Sequence, residues 1–154
     1  MEKTLVIDLD SREDFYEVYD NSKISKELIS YMIKASSKFK KKDKVKVIIN
    51  NNFGGEENCT SLIKEALLQE CANNEYKFHR NNLKQISFFI FGAIALVLST
   101  IVKVEILKEI ILIGAWVFLW DMVELEIVDD MSNRKKKKIL KKLLSSQFIE
   151  KRMD

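Results

Sequence analysis

Residues 86 to 102, ISFFIFGAIALVLSTIV, carry no charge. A helix of that length sits at the lower limit for crossing the ~30 Å hydrocarbon layer of a membrane. No other feature restricts the possible folds as much. Mean hydropathy is only −0.12 and 32% of the 154 residues are charged, so the average resembles a soluble domain. The average misleads because charge and apolar residues are segregated along the chain. The run lies too deep for a secretory signal and has no small-residue cleavage site, so the N-terminal part is expected to stay in the cytosol.

Upstream, the pattern is that of a small soluble unit. KTLVIDLD (3–10) and VKVIINNNF (45–53) are rich in aliphatic and β-branched residues and read as strands. Between them, residues 22–39 place Ile24, Leu28, Tyr31, Met32, Ala35 and Phe39 on one helical face. Residues 11–21 read as an irregular connection or a single helical turn. The order predicts a β-α-β unit over 1–57 with parallel strands and a right-handed crossover. So few residues make a marginal core, so help from the next helix, the membrane or a second copy is expected. An amphipathic helix is predicted over 58–85, started by Asn58 or Thr60 and running into the apolar span 86–102.

A second apolar helix is expected over 110–128, after an external turn at 103–109. Its first half, IILIGAWVFLW, is fully apolar, but its second half contains Asp121, Glu124 and Glu126. Folding the two spans antiparallel brings Glu126 level with Lys84, Asp129 and Asp130 level with Arg80 and Asn81, and Asp121 level with Phe89. Arg80 and Lys84 are therefore the expected charge partners of Glu124 and Glu126 at the membrane rim. Asp121 lies roughly 6–8 Å deeper at about 1.5 Å per residue. An unpartnered ionised Asp there costs ~2.5–3.5 kcal/mol on insertion scales. Two readings stay open: Asp121 and Glu124 face the protein interior or another copy, or the helix ends early and both are interfacial. If embedded, Asp121 needs Gln85, Ser87 or a neighbouring copy as hydrogen-bond partner.

Residues 131–154 hold nine Lys or Arg and two acids. Ile139, Leu140, Leu143, Leu144 and Phe148 fall on one side of a helix, opposite the lysines. Such a helix, directly after a span, is expected to lie on anionic lipid through Arg134, Lys135, Lys136, Lys137, Lys138, Lys141 and Lys142. The basic flanks place both termini in the cytosol. Nucleic acid is not the expected partner of these lysines.

Trp116, Trp120, Glu124 and Asp129 stand in a W-x3-W-x3-E-x4-D spacing. In this the chain resembles a widespread family of small bacterial two-span membrane proteins with no established activity. The resemblance extends to Asp8, Leu9 and Asp10 at a strand end, to Tyr76, Phe78 and Arg80 before the first span, and to the basic tail. Asp121 and Met122 stand where that family has a basic residue followed by Pro. The resemblance implies an α+β membrane protein with a two-helix transmembrane hairpin in a bacterial inner membrane. It implies no substrate.

No catalytic set assembles from the sequence. VIDLDS resembles the aspartate motif of phosphotransferases, but too few strands, acids and lysines accompany Asp8 and Asp10 to complete one. His79 stands alone among basic residues. Cys59 and Cys71, twelve apart on one helix, suit neither a disulfide nor zinc. No cofactor or metal is expected. The reading favoured is a non-enzymatic, membrane-anchored interaction or regulatory subunit that meets a protein partner through its cytosolic unit. The alternative is an oligomerising membrane effector of the stress or phage-defence type, motivated by the embedded acids, by Gly92 and Gly114, and by Ser99 and Thr100. Homo-oligomerisation is compatible with both.

Overall fold

The computed structural model describes residues 2–18, 20–40, 42–53 and 58–152. The chain is a mixture of helix and strand, mostly helical. It divides into two compact units, one formed by 1–73 with 136–154 and the other by 74–135.

The first unit opens with β1 (Glu2–Leu9), whose alternation buries Leu5, Ile7 and Leu9 and exposes Thr4, Val6 and Asp8. Ser11 then starts a single turn, α1 (Arg12–Phe15), with a reciprocal cap in which Asp14 N–H donates to Ser11 Oγ and Ser11 N–H donates to Asp14 Oδ2. A short antiparallel hairpin, β2 (Tyr16–Glu17) and β3 (Asp20–Ile24), occupies part of the stretch expected to be irregular. It also displaces the start of the next helix, α2 (Lys26–Ser37), from residue 22. Strand β4 (Lys44–Asn51) follows and pairs parallel with β1, in the expected β-α-β order.

Helix α3 (Cys59–Ile101) begins where Asn58 Oδ1 accepts from Ser61 N–H. It is the one described helix long and apolar enough to cross a membrane. Helix α4 (Glu105–Glu124) follows after only three residues, so the turn expected over 103–109 is mostly helix. Helical structure then continues without interruption. Leu125–Asp130 form a π-helical segment, and Met131–Leu144 form α5.

The tail corrects the sequence reading. Residues 131–154 are not one helix: after Ser146 the chain turns into β5 (Gln147–Arg152), which pairs parallel with β4 to give the order β1-β4-β5. The apolar face of α5 is consumed in the process. Leu140 and Leu143 are fully buried in the core of the first unit, with Ile139, Leu144 and Phe148 packed against it. That face is not available to lie on lipid. The first unit is therefore assembled from both ends of the described chain rather than from 1–57 alone. Its core joins Leu5, Ile7, Val47 and Ile49 from the sheet to Met32 of α2 and to Cys59, Ile63 and Leu67 of α3.

Candidate functional site

Parallel strands commonly carry ligand sites at their carboxyl ends. Here each acid at the end of β1 accepts one side-chain amide: Asn50 Nδ2 donates to Asp8 Oδ1 and Asn52 Nδ2 donates to Asp10 Oδ1. Among the described residues no group of His, Cys, Asp and Glu is placed to hold a metal ion. Cys59 is buried and its sulfur accepts from Asn51 Nδ2, and Cys71 is half-buried.

The distinctive surface lies in the second unit. Phe118 of α4 meets both Phe88 and Phe91 of α3, and Gly92 lies against Ala115 and Leu119. Further along, Asn81 donates to Asp129 at 3.2 Å. Low positions on one helix meet high positions on the other, so this part of α3 and the chain from α4 to Asp129 run antiparallel. Away from this seam the side chains are open. Phe89, Val97, Ile101, Ile106, Ile110, Ile113, Trp116, Val117 and Trp120 are all more than half exposed, and only 11% of the most apolar window of α3 is buried. Ser87, Ser99 and Thr100 return their hydroxyls to backbone carbonyls three or four residues earlier, so the belt offers few unsatisfied donors.

One end of the pair carries a polar layer. Asp130, the last residue of the π-helical segment, is 1% exposed. Gln85 Nε2 donates to Asp130 Oδ2 at 3.4 Å, and the Arg134 guanidinium stands 4.0 Å from the same oxygen. Arg134 also reaches Glu126 at 3.5 Å and lies over the ring of Phe78. Asn74 Nδ2 donates to the carbonyl of Asn133.

This layer differs from the expected one. Glu126 pairs with Arg134, two turns away on its own continuous helix, and not with Lys84 across the seam. Gln85 serves Asp130 and Ser87 its own helix, so neither reaches Asp121. Among the described residues no hydrogen bond or ion pair reaches Asp121, and none joins Arg80 or Lys84 to an acid at 4 Å. Arg80, Lys84, Asp121, Glu124 and Asp129 nevertheless line one open groove of about 550 Å³, with Leu83, Phe88, Leu125 and Val128 as its apolar part. Trp116 and Trp120 stand beside Asp121 on a second, shallower apolar face with Ile113 and Val117. Asp130 and Arg134, the residues that organise the layer, stand at the i, i+4 spacing of an acid–base pair on one helix, a signal the sequence reading passed over in favour of partners across the seam.

The tail lysines divide. Lys136 pairs with Glu70, and Lys142 donates to the carbonyl of Lys40 at 2.7 Å while standing over Phe39. Lys135, Lys138 and Lys141 are exposed, and Lys137 is half-buried. The seven cations are thus not one uniform surface. No family model matches the chain, and neither does any curated protein or solved structure.

Proposed function

We propose that the chain is a non-enzymatic membrane protein in which residues 86–101 of α3 and most of α4 form a two-helix transmembrane hairpin. In this reading the first unit is its cytosolic interaction or regulatory module, in a bacterial inner membrane. The observation that carries the proposal is the belt of exposed large apolar side chains on both helices. Water-soluble surfaces rarely leave a contiguous apolar patch beyond a few hundred Å² uncovered. At roughly 25 cal/mol per Å², hydrocarbon around such a belt stabilises it by far more than the embedded polar groups cost. Charge supports the orientation. Arg80, Lys84, Arg134 and Lys135 lie toward the ends of the pair remote from Val102–Val104, and basic flanks favour the cytosol.

Cysteine labelling tests the topology. In a chain with Cys59 and Cys71 replaced by Ala, Val104→Cys is expected to react with an impermeant thiol reagent in intact cells. Lys138→Cys is expected to react only after lysis. The reverse pattern overturns the orientation, and recovery of the protein in the soluble fraction overturns the membrane assignment.

A further inference from the structure

The sheet of the first unit has one covered face and one open face. Its strands follow one another across the sheet in a single direction, β1 to β4 to β5. Crossovers between parallel strands are right-handed, so two crossovers stepping in the same direction leave their helices on the same side. Burial agrees. Leu5, Ile7 and Leu9 of β1 and Val45, Val47, Ile49 and Asn51 of β4 are buried, whereas their alternates are exposed or half-exposed. Parallel sheets are normally covered on both faces, which makes the open face an unpartnered surface.

The register arranges that face into rows. Val6, Ile48 and Ile149 are mutual neighbours and form an apolar row across all three strands. Thr4, Lys46 and Gln147 form the row on one side, and Asp8, Asn50 and Lys151 the row on the other. Val6, at the edge, is 46% exposed.

We infer that this face binds the same face of a second copy of the chain, about a two-fold axis running along the Val6–Ile48–Ile149 row. Such an axis stacks the apolar row on itself and places each polar row over the opposite row of the partner. Thr4 then meets Asp8 of the partner subunit, a hydroxyl donor against a carboxylate. Lys46 meets Asn50 of the partner subunit, whose amide nitrogen already donates to Asp8 within its own sheet and whose oxygen is left to accept. Gln147 meets Lys151 of the partner subunit, an amide oxygen against an ammonium. No like charges oppose one another in these rows. The other axis in the plane, parallel to the strands, sets Lys46 against its own copy. Matching of donors to acceptors, and avoidance of the Lys46–Lys46 contact, thus select the first arrangement.

Crosslinking of the full chain tests the interface. Packed sheets lie ~10 Å apart, within reach of a short bismaleimide. In a chain with Cys59 and Cys71 replaced by Ala, Ile48→Cys sits on the axis and is expected to crosslink into a dimer. Glu2→Cys, on the same face but about 26 Å from its copy at ~3.3 Å per residue, reports random collision and is expected not to crosslink. Adding Lys46→Glu sets acid against the Asp8–Asn50 row and is expected to lower Ile48→Cys crosslinking about tenfold. Adding Asn50→Lys to that variant is expected to restore it. No Ile48→Cys dimer, equal crosslinking at Glu2→Cys, or Lys46→Glu without effect each overturns the interface. The reaction is run on whichever fraction holds the protein, so its outcome is separate from that of the membrane assignment.

Discussion

Gly92 and Gly114 have the same chemistry and different positions. A Cβ on Gly92 meets Leu119 Cγ and Cδ2 at 3.3 Å and the Ala115 carbonyl oxygen at 3.6 Å, whereas a Cβ on Gly114 meets nothing within 4 Å. Only Gly92 is a close-approach point between α3 and α4. Small residues at such points let helices pack backbone to backbone where lipid supplies no hydrophobic drive. Gly92→Ala is expected to be tolerated by a small shift of Leu119. Gly92→Leu is expected to cost about 1–3 kcal/mol through overpacking. Gly114→Ala is expected to be neutral for this helix pair. Unfolding in detergent followed by fluorescence of Trp116 and Trp120, both on α4, separates the three. At this scale the sequence announced two glycines but could not rank them, because rank depends on which side of the helix faces the neighbour. The pairing of Asn81 with Asp129 was legible, since it follows from antiparallel geometry alone. The partner of Glu126 was not, because it lies eight residues along the same continuous helix, in a segment the sequence reading assigned to the tail and not to the seam.

At the scale of elements, β1, α2 and β4 were legible because each carries the period of its own structure through most of its length. Strand β5 was hidden. In QFIEKR, Phe148 continues the helical spacing of Ile139, Leu140, Leu143 and Leu144, and the preceding lysines reinforce an amphipathic helix. Only the vacant edge of β4, a partner about a hundred residues earlier, makes the segment a strand. The role of the tail differs accordingly. A helix resting on lipid would be dispensable for the α/β unit, but β5 supplies one of three strands and packs Phe148 against the core. Ending the chain after Ser146 is therefore expected to abolish cooperative unfolding of that unit, measured by hydrogen exchange at Val47 and Ile49. Phe148→Ala, at a half-buried site, is expected to cost about 2 kcal/mol, below the range for full burial. Exchange unchanged by the truncation would show that β5 contributes nothing to the unit.

At the scale of the molecule, the two units use apolar residues in opposite ways: the first turns them inward around Val47 and Ile49, the second outward. The division predicts that they can be separated. Residues 1–73 joined by a short flexible linker to 136–154 retain every residue of the first core and lose the apolar belt. That shortened protein is expected to be soluble and to melt in one transition. Residues 1–73 alone lack Leu140, Leu143 and Phe148 and are expected to aggregate or stay unfolded. If the shortened protein sediments with membranes, the apolar belt is not what confers insolubility.

The discontinuous first unit also sets an order of events during synthesis. β1 and β4 leave the ribosome early, but β5 emerges only after both apolar helices have been made. Until then the nascent sheet has two strands, and β4 presents a row of unpaired backbone groups beside Val47 and Ile49. Such an edge invites pairing with whatever strand is nearest, including one from a neighbouring chain on the same message. Elements translated after both apolar helices thus close the ones made before them, and a ribosome stalled between Asp130 and Gln147 holds a chain whose apolar helices are complete and whose α/β unit is not.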